Sequence, residues 1–193
     1  MTTFPHILAF GDSLTAGYGL AAHHAFPAQL EALLRERHPG ATVQNAGVSG
    51  ETSAGGLARL PRVLARLSVR PDLAIVELGA NDLLRGVPPV SMERNLDAIC
   101  AELGRCGIPV LVAGMLAPVF LGPFASAFNA VFPAVAARAG AALYPFFLDG
   151  VVGDPTLTLA DGLHPNARAI GMVARSILPS VEQALAAGVR QAA

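Results

Sequence analysis

The chain has 193 residues, 53% of them hydrophobic and 14% charged, which excludes the polar, highly charged composition that stays disordered; at roughly 150 residues per domain it predicts one compact domain over 1–193. A formal net charge of -1, with the basic residues scattered along the chain, excludes the run of cations that neutralises successive phosphates, so no nucleic-acid partner is expected. Cys100 and Cys106 form no CxxC pair and have no histidine placed to complete a zinc set, so no metal site and no disulfide framework are expected.

Ile7 to Phe10 is a short apolar run stopped by Gly11, the pattern of a strand buried on both faces. No basic segment precedes it, so the chain reads as lacking an export signal: cytoplasmic as written, periplasmic if a signal peptide has been trimmed. Phe26 to Arg37 sets Phe26, Leu30, Leu33 and Leu34 opposite Glu31, Arg35 and Glu36, and Pro39-Gly40 stops this amphipathic helix. Thr42 to Asn45 reads as the second strand. The helix Leu57 to Leu67 follows, with Arg59, Arg62, Arg66 and Arg70 as its solvated face. Leu73 to Leu78 is the third strand, Met92 to Leu103 a helix, Pro109 to Gly114 the fourth strand and Phe128 to Arg138 a helix. A fifth strand over Ala142 to Phe147 and a helix over Ala167 to Leu178 complete the series. The stretch 107–137 carries no charge, yet Pro109, Pro118, Pro123 and Pro133 argue against a membrane span, and no integral membrane segment is expected.

Strands alternating with helices, joined by connections too long for hairpins, predict an α/β fold: a three-layer α/β/α sandwich around a parallel sheet of about five strands. In such sheets the crevice lies beyond the carboxyl ends of the strands. The polar exceptions fall there: Gly11-Asp12-Ser13, Gly47-Val48-Ser49-Gly50 and Gly79-Ala80-Asn81-Asp82 follow the first three strands.

Acyl transfer needs a nucleophile, a base, a group that orients the base, and donors for the oxyanion. Ser13 follows a buried strand. Asp161-Gly162-Leu163-His164 sets a carboxylate and an imidazole three residues apart, neighbours across one helical turn, with Pro165 opening the helix beyond. His6, His23, His24 and His38 lack such company and read as structural or surface residues. The backbone N–H groups of Ser13 and Gly50 and the side-chain amide of Asn81 are the candidate oxyanion donors, each following a different strand. The G-x-S-x-G elbow is absent, so the α/β-hydrolase arrangement is not indicated.

Four blocks together resemble the SGNH (GDSL) hydrolase superfamily: Phe10-Gly11-Asp12-Ser13-Leu14, Asn45-Ala46-Gly47-Val48-Ser49-Gly50-Glu51-Thr52, Gly79-Ala80-Asn81-Asp82 and Asp161-Gly162-Leu163-His164-Pro165-Asn166. The segments Gly56-Leu57-Ala58-Arg59-Leu60-Pro61, Leu83-Leu84-Arg85-Gly86 and Tyr144-Pro145-Phe146-Phe147 are similar to the bacterial subgroup of thioesterase, lysophospholipase and arylesterase enzymes. The resemblance implies a flavodoxin-like sandwich, no cofactor, small ester or thioester substrates, and a site made of Ser13, Gly50, Asn81, Asp161 and His164. The chain departs from that pattern at 116–124, which is apolar and proline-bearing where a more polar loop is expected. Leu83, Leu84, Val119 and Phe120 are therefore the candidate lining of an acyl groove.

Three other readings use parts of the same set. An acetyl esterase acting on carbohydrates would share the triad, but the chain has no Trp and two Tyr for sugar stacking. A metal-dependent phosphoesterase would take Asp12, Asn81, Asp82 and His164 as ligands, without a second histidine near Asp12. A binding module on the same fold would leave the set idle.

Overall fold

Three strands end level with one another, and that alignment sets the height of everything the loops present. The computed structural model describes residues 4–191. Strand β1 (His6–Gly11) lies between β2 (Thr42–Gly47) and β3 (Leu73–Glu77), with Gly11 opposite Gly47 on one side and Glu77 on the other. Strands β4 (Val110–Ala113) and β5 (Ala142–Tyr144) extend the sheet in the order β2-β1-β3-β4-β5, every neighbouring pair parallel. The chain order reverses between β1 and β3, so the loops leaving these two strands diverge and open a crevice. Ser13 and Asn81 follow those two strands.

Seven α-helices cover the sheet among the described residues: α1 (Ser13–Ala16), α2 (Phe26–Arg35), α3 (Ser53–Leu64), α4 (Ala80–Leu84), α5 (Pro89–Arg105), α6 (Pro123–Ala139) and α7 (Ala167–Gln191). Helices α2 and α7 pack together on one face, and α3, α5 and α6 on the other, which gives the expected three layers. Strands β3 and β4 are buried at every position, as a parallel sheet covered on both sides requires. The core between the layers includes Ile7, Phe10, Leu30, Ile75, Leu111, Phe128, Phe132 and Ile177. No helix among the described residues is long and apolar enough to cross a membrane; the uncharged stretch is divided among β4, an apolar loop and α6.

The differences from expectation lie at element ends: β5 stops at Tyr144, three residues short of the expected Phe147, and several helices start or stop elsewhere. Helix α3 starts at Ser53, four residues before the apolar periodicity, because the Thr52 hydroxyl accepts from the Gly55 N–H and offsets the two glycines of the first turn. Helices α5 and α6 start early with Pro89 and Pro123 in their first turns, where proline's missing N–H costs nothing. Helix α7 runs on through Pro179, since Val181 and Ala184 beyond it are buried. The short α1 and α4 span about one turn each, too little for a periodic signal.

The arginine face also needs correction. Arg59 is mostly buried: its Nη2 donates to the Gly11 carbonyl at 3.1 Å, its Nε pairs with Glu51, and its guanidinium lies over the Phe10 ring at 4.1 Å. Arg66 and Arg70 lie past the end of α3. Only Arg62 is an exposed cation within that helix. Cys100 is buried in α5, and Cys106 is exposed at its end.

Candidate active site

The nucleophile candidate is held by the turn that carries it. Asp12 caps α1, its Oδ1 accepting from the Leu14 N–H at 3.0 Å, and Ser13 is the first residue of that helix. The Ser13 Oγ lies 3.1 Å from His164 Nε2, and His164 Nδ1 lies 2.7 Å from Asp161 Oδ2. A carboxylate only accepts, so the proton sits on Nδ1 and Nε2 is left free to accept from the serine hydroxyl. That is the tautomer a general base requires.

Asp161 and His164 do meet, though not across a helical turn. The segment is a loop in which Asp161 Oδ1 accepts from the backbone N–H groups of Leu163 and His164 at 2.9 and 3.0 Å, while Gly162 takes a left-handed φ of 68°. Thr158 and Pro165 form a bridge behind it, and the Leu159 N–H donates to the His164 carbonyl at 2.7 Å. Asn166 then caps α7, its Oδ1 accepting from the Ala169 N–H at 3.1 Å. These bonds, first the His164 N–H, then the Leu163 N–H and the imidazole, pull the Asp161 carboxyl down to about 2. It therefore stays ionised whenever the imidazole is neutral.

The three oxyanion candidates follow β1, β2 and β3, the strands that end level with one another. Among the described residues, the N–H groups of Ser13 and Gly50 are hydrogen-bonded to no other protein group. Gly50 has a φ of 78°, a backbone shape that side chains disfavour. Arg85, at the end of α4, fixes this loop by donating from Nη2 to the Gly50 carbonyl at 2.7 Å. Asn81 Nδ2 donates one hydrogen to Asp12 Oδ2 at 2.9 Å, which orients the amide and leaves its second hydrogen uncommitted.

Of the proposed lining residues, Leu84, Val119 and Phe120 are exposed, whereas Leu83 is half-buried and packs on the core. All four follow β3 or β4 at the carboxyl edge of the sheet. Asn129 on α6 pins the base of the apolar loop, its Oδ1 accepting from the Ala117 N–H at 2.7 Å. A wide cleft lined by Arg37, His38, Arg70 and Asp72 lies at the opposite end of the strands and includes none of the candidate residues.

Sequence reasoning missed Tyr18 and Glu77 altogether, and the structural roles of Asp12 and Asp82. Tyr18 stacks on the His164 ring with centroids 4.3 Å apart and covers one face of the base. Asp82, a ligand candidate in the metal reading, is buried and holds the Ser53 N–H and hydroxyl at 2.7 and 2.6 Å, tying α4 to α3. Burial pushes the Asp12 carboxyl up to about 6, against the bonds from Leu14 and Asn81 that lower it. The fully buried Glu77, at the end of β3, is pushed well above its ordinary range, by desolvation first and then by the neighbouring Asp12 charge.

A sequence profile of the GDSL-like lipase/acylhydrolase family matches residues 9–169. The chain belongs to that family. It is an esterase by descent: it is 39% identical to esterase TesA of Pseudomonas aeruginosa over 180 residues, covering 93% of this chain and 89% of the relative. It is 38% identical to thioesterase 1/protease 1/lysophospholipase L1 of Escherichia coli K12, covering 87% of this chain and 79% of that protein. Among solved structures, the esterase AlinE4 of the SGNH-hydrolase family superimposes with a TM-score of 0.80 at 45% identity, covering 96% of this chain and 98% of that one.

Proposed function

We propose that this esterase cleaves carboxylic esters and thioesters through an acyl-enzyme on Ser13, with His164 as general base and acid and Asp161 as its orienting partner. The reading rests on one observation, the unbroken hydrogen-bonded line from Asp161 through His164 to Ser13 at 2.7 and 3.1 Å. The Ser13 hydroxyl gives its proton to His164 Nε2 as its Oγ bonds to the acyl carbon. The resulting oxyanion lies against the N–H groups of Ser13 and Gly50 and the Asn81 amide. The tetrahedral adduct collapses, the C–O or C–S bond breaks, and the proton passes from His164 to the departing alkoxide or thiolate. Water then attacks the acyl-enzyme with His164 again taking the proton, which releases the carboxylic acid and restores Ser13.

A fluorophosphonate tests this reading directly, because it phosphonylates only an activated serine. Intact-mass measurement is expected to show one adduct on the wild type and none on a folded Ser13→Ala variant. An unmodified wild type, or a variant modified to the same extent, would exclude Ser13 as the nucleophile.

The acyl group is proposed to run along Leu83, Leu84, Val119 and Phe120. Two relatives are named thioesterase or esterase, and one name includes lysophospholipase; lysophospholipids and acyl-thioesters both present a long apolar chain beside the scissile carbonyl. Each methylene taken fully out of water contributes about 0.8 kcal/mol, so kcat/KM on p-nitrophenyl esters is expected to rise by up to about 15-fold per added pair of carbons from acetyl upward. Equal values from acetyl to decanoyl would remove the groove. A carbohydrate-acetyl substrate is less well served, since Tyr18, the aromatic ring beside the base, already stacks on His164.

A further inference from the structure

Beneath the Ser13 turn lies a second carboxyl group that the proposed cycle does not use. Glu77 is fully buried at the end of β3, level with Gly11. Its Oε2 lies 2.8 Å from Thr15 Oγ1 on α1 and accepts from the Asp12 N–H at 3.4 Å, so the side chain touches the residues on both sides of Ser13. Its other oxygen, Oε1, is buried with no hydrogen-bond partner among the described residues. Gly11 makes the approach possible: a Cβ there would sit 2.2 Å from Thr15 Oγ1 and 2.6 Å from Glu77 Oε2.

An ionised carboxylate spreads its charge over both oxygens, and a fully buried one with an orphaned oxygen and a second carboxylate nearby is strongly disfavoured. A neutral acid faces no such penalty, because its carbonyl oxygen tolerates a missing partner far better than a half-charge does. We propose that Glu77 works as a neutral carboxylic acid, a positioning residue that holds the Ser13 turn through Thr15 and the Asp12 N–H and leaves Asp12 as the member of this carboxyl pair that ionises. The proposal builds on the Ser13 reading above. The titratable groups around this floor are Asp12 at the end of β1, Arg59 of α3 paired with Glu51, Asp82 of α4 bound to Ser53, and His164 over Ser13. Arg59 is committed to Glu51 and the Gly11 carbonyl, so no cation is hydrogen-bonded to Glu77.

Proton linkage tests the neutral state of Glu77. Burial and the Asp12 charge hold the folded-state Glu77 carboxyl well above its ordinary value of 4.5. Above that value the unfolded chain releases a proton that the folded chain keeps. The unfolded state then binds fewer protons, and stability is lost as pH rises toward the folded-state value. Glu77→Gln keeps the shape and cannot ionise in either state. The Tm difference, variant minus wild type, is therefore expected to become steadily more positive from pH 5 to pH 8. A difference that is flat or falls over that range would mean an ionised Glu77 and overturn the proposal.

Kinetics test the positioning role. With a soluble p-nitrophenyl ester, Glu77→Gln is expected to keep near wild-type kcat and KM, while the apolar Glu77→Leu loses about 10²-fold in kcat at unchanged KM, the cost of a nucleophile displaced by around an ångström. A Gln variant as inactive as the Leu variant, or a Leu variant as active as wild type, would overturn it. Should the Leu variant fail to fold, the Gln variant still decides through both its Tm profile and its rate. Failure of the fluorophosphonate adduct would sink the Ser13 reading without touching the Tm result, so the two failures are distinguishable.

Discussion

Ser13→Ala is expected to lower kcat on a soluble aryl ester by about 10⁶-fold, with KM little changed and the fold intact. The size of the effect follows from how the site is assembled. The serine hydroxyl lies 3.1 Å from an imidazole whose tautomer is already set, so removing it removes the covalent route as a whole. What survives is the donor set of Ser13 N–H, Gly50 N–H and Asn81, and such donors with binding alone leave roughly 10³- to 10⁴-fold acceleration over water. Alanine fits where Ser13 stands at the start of α1, and the Asp12 cap to Leu14 does not involve the hydroxyl. Steady-state kinetics beside an unchanged unfolding curve check this. A folded variant retaining more than about 1% of wild-type kcat would show that the acyl group is not carried on this serine.

Asp161→Asn is expected to cost about 10⁴-fold in kcat, the loss seen when the same exchange is made in other Ser-His-Asp enzymes. Asp161 Oδ1 takes the Leu163 and His164 N–H groups and Oδ2 takes the imidazole N–H. An asparagine can keep its oxygen on the two backbone groups, which leaves its amide nitrogen facing Nδ1. That nitrogen donates, so Nδ1 must become the acceptor and the imidazole proton moves to Nε2, where it opposes proton transfer from Ser13. Because the wild-type carboxyl is held down at about 2, its own titration does not contribute to a rate profile above pH 4. Measured from pH 5 to 9, the variant is expected to be slow throughout and not restored at either end. A loss smaller than about 10-fold would mean that His164 is held in its tautomer by something else.

Where chain neighbours or buried apolar runs carry the signal, sequence was enough. The strands β1, β3 and β4 are unbroken apolar segments, and their order with the intervening helices implied the parallel sheet and the edge on which the polar loops collect. Ser13, Gly50 and Asn81 follow the first three strands, Ser13 and Asn81 in the short helices α1 and α4, and hydrogen bonds join Ser13 to His164 and His164 to Asp161. What periodicity missed comes from residues far apart in the chain. Arg59 looked solvated because its helix offers it no partner; the Gly11 carbonyl and the Phe10 ring that receive it belong to β1. Glu77 sits inside an apolar strand pattern, and its role depends on Thr15, 62 positions earlier. The three-residue spacing of Asp161 and His164 was legible, but the turn that realises it depends on Gly162 and the Thr158–Pro165 bridge rather than on a helix.

The bond between Ser13 and His164 spans 151 positions of sequence. A chain emerging from the ribosome presents Ser13 long before His164, which follows all five strands of the described sheet. Until then the serine has no proton acceptor and is an ordinary alcohol. On the proposed mechanism, activity therefore waits until the segments carrying Ser13 and His164 have packed together.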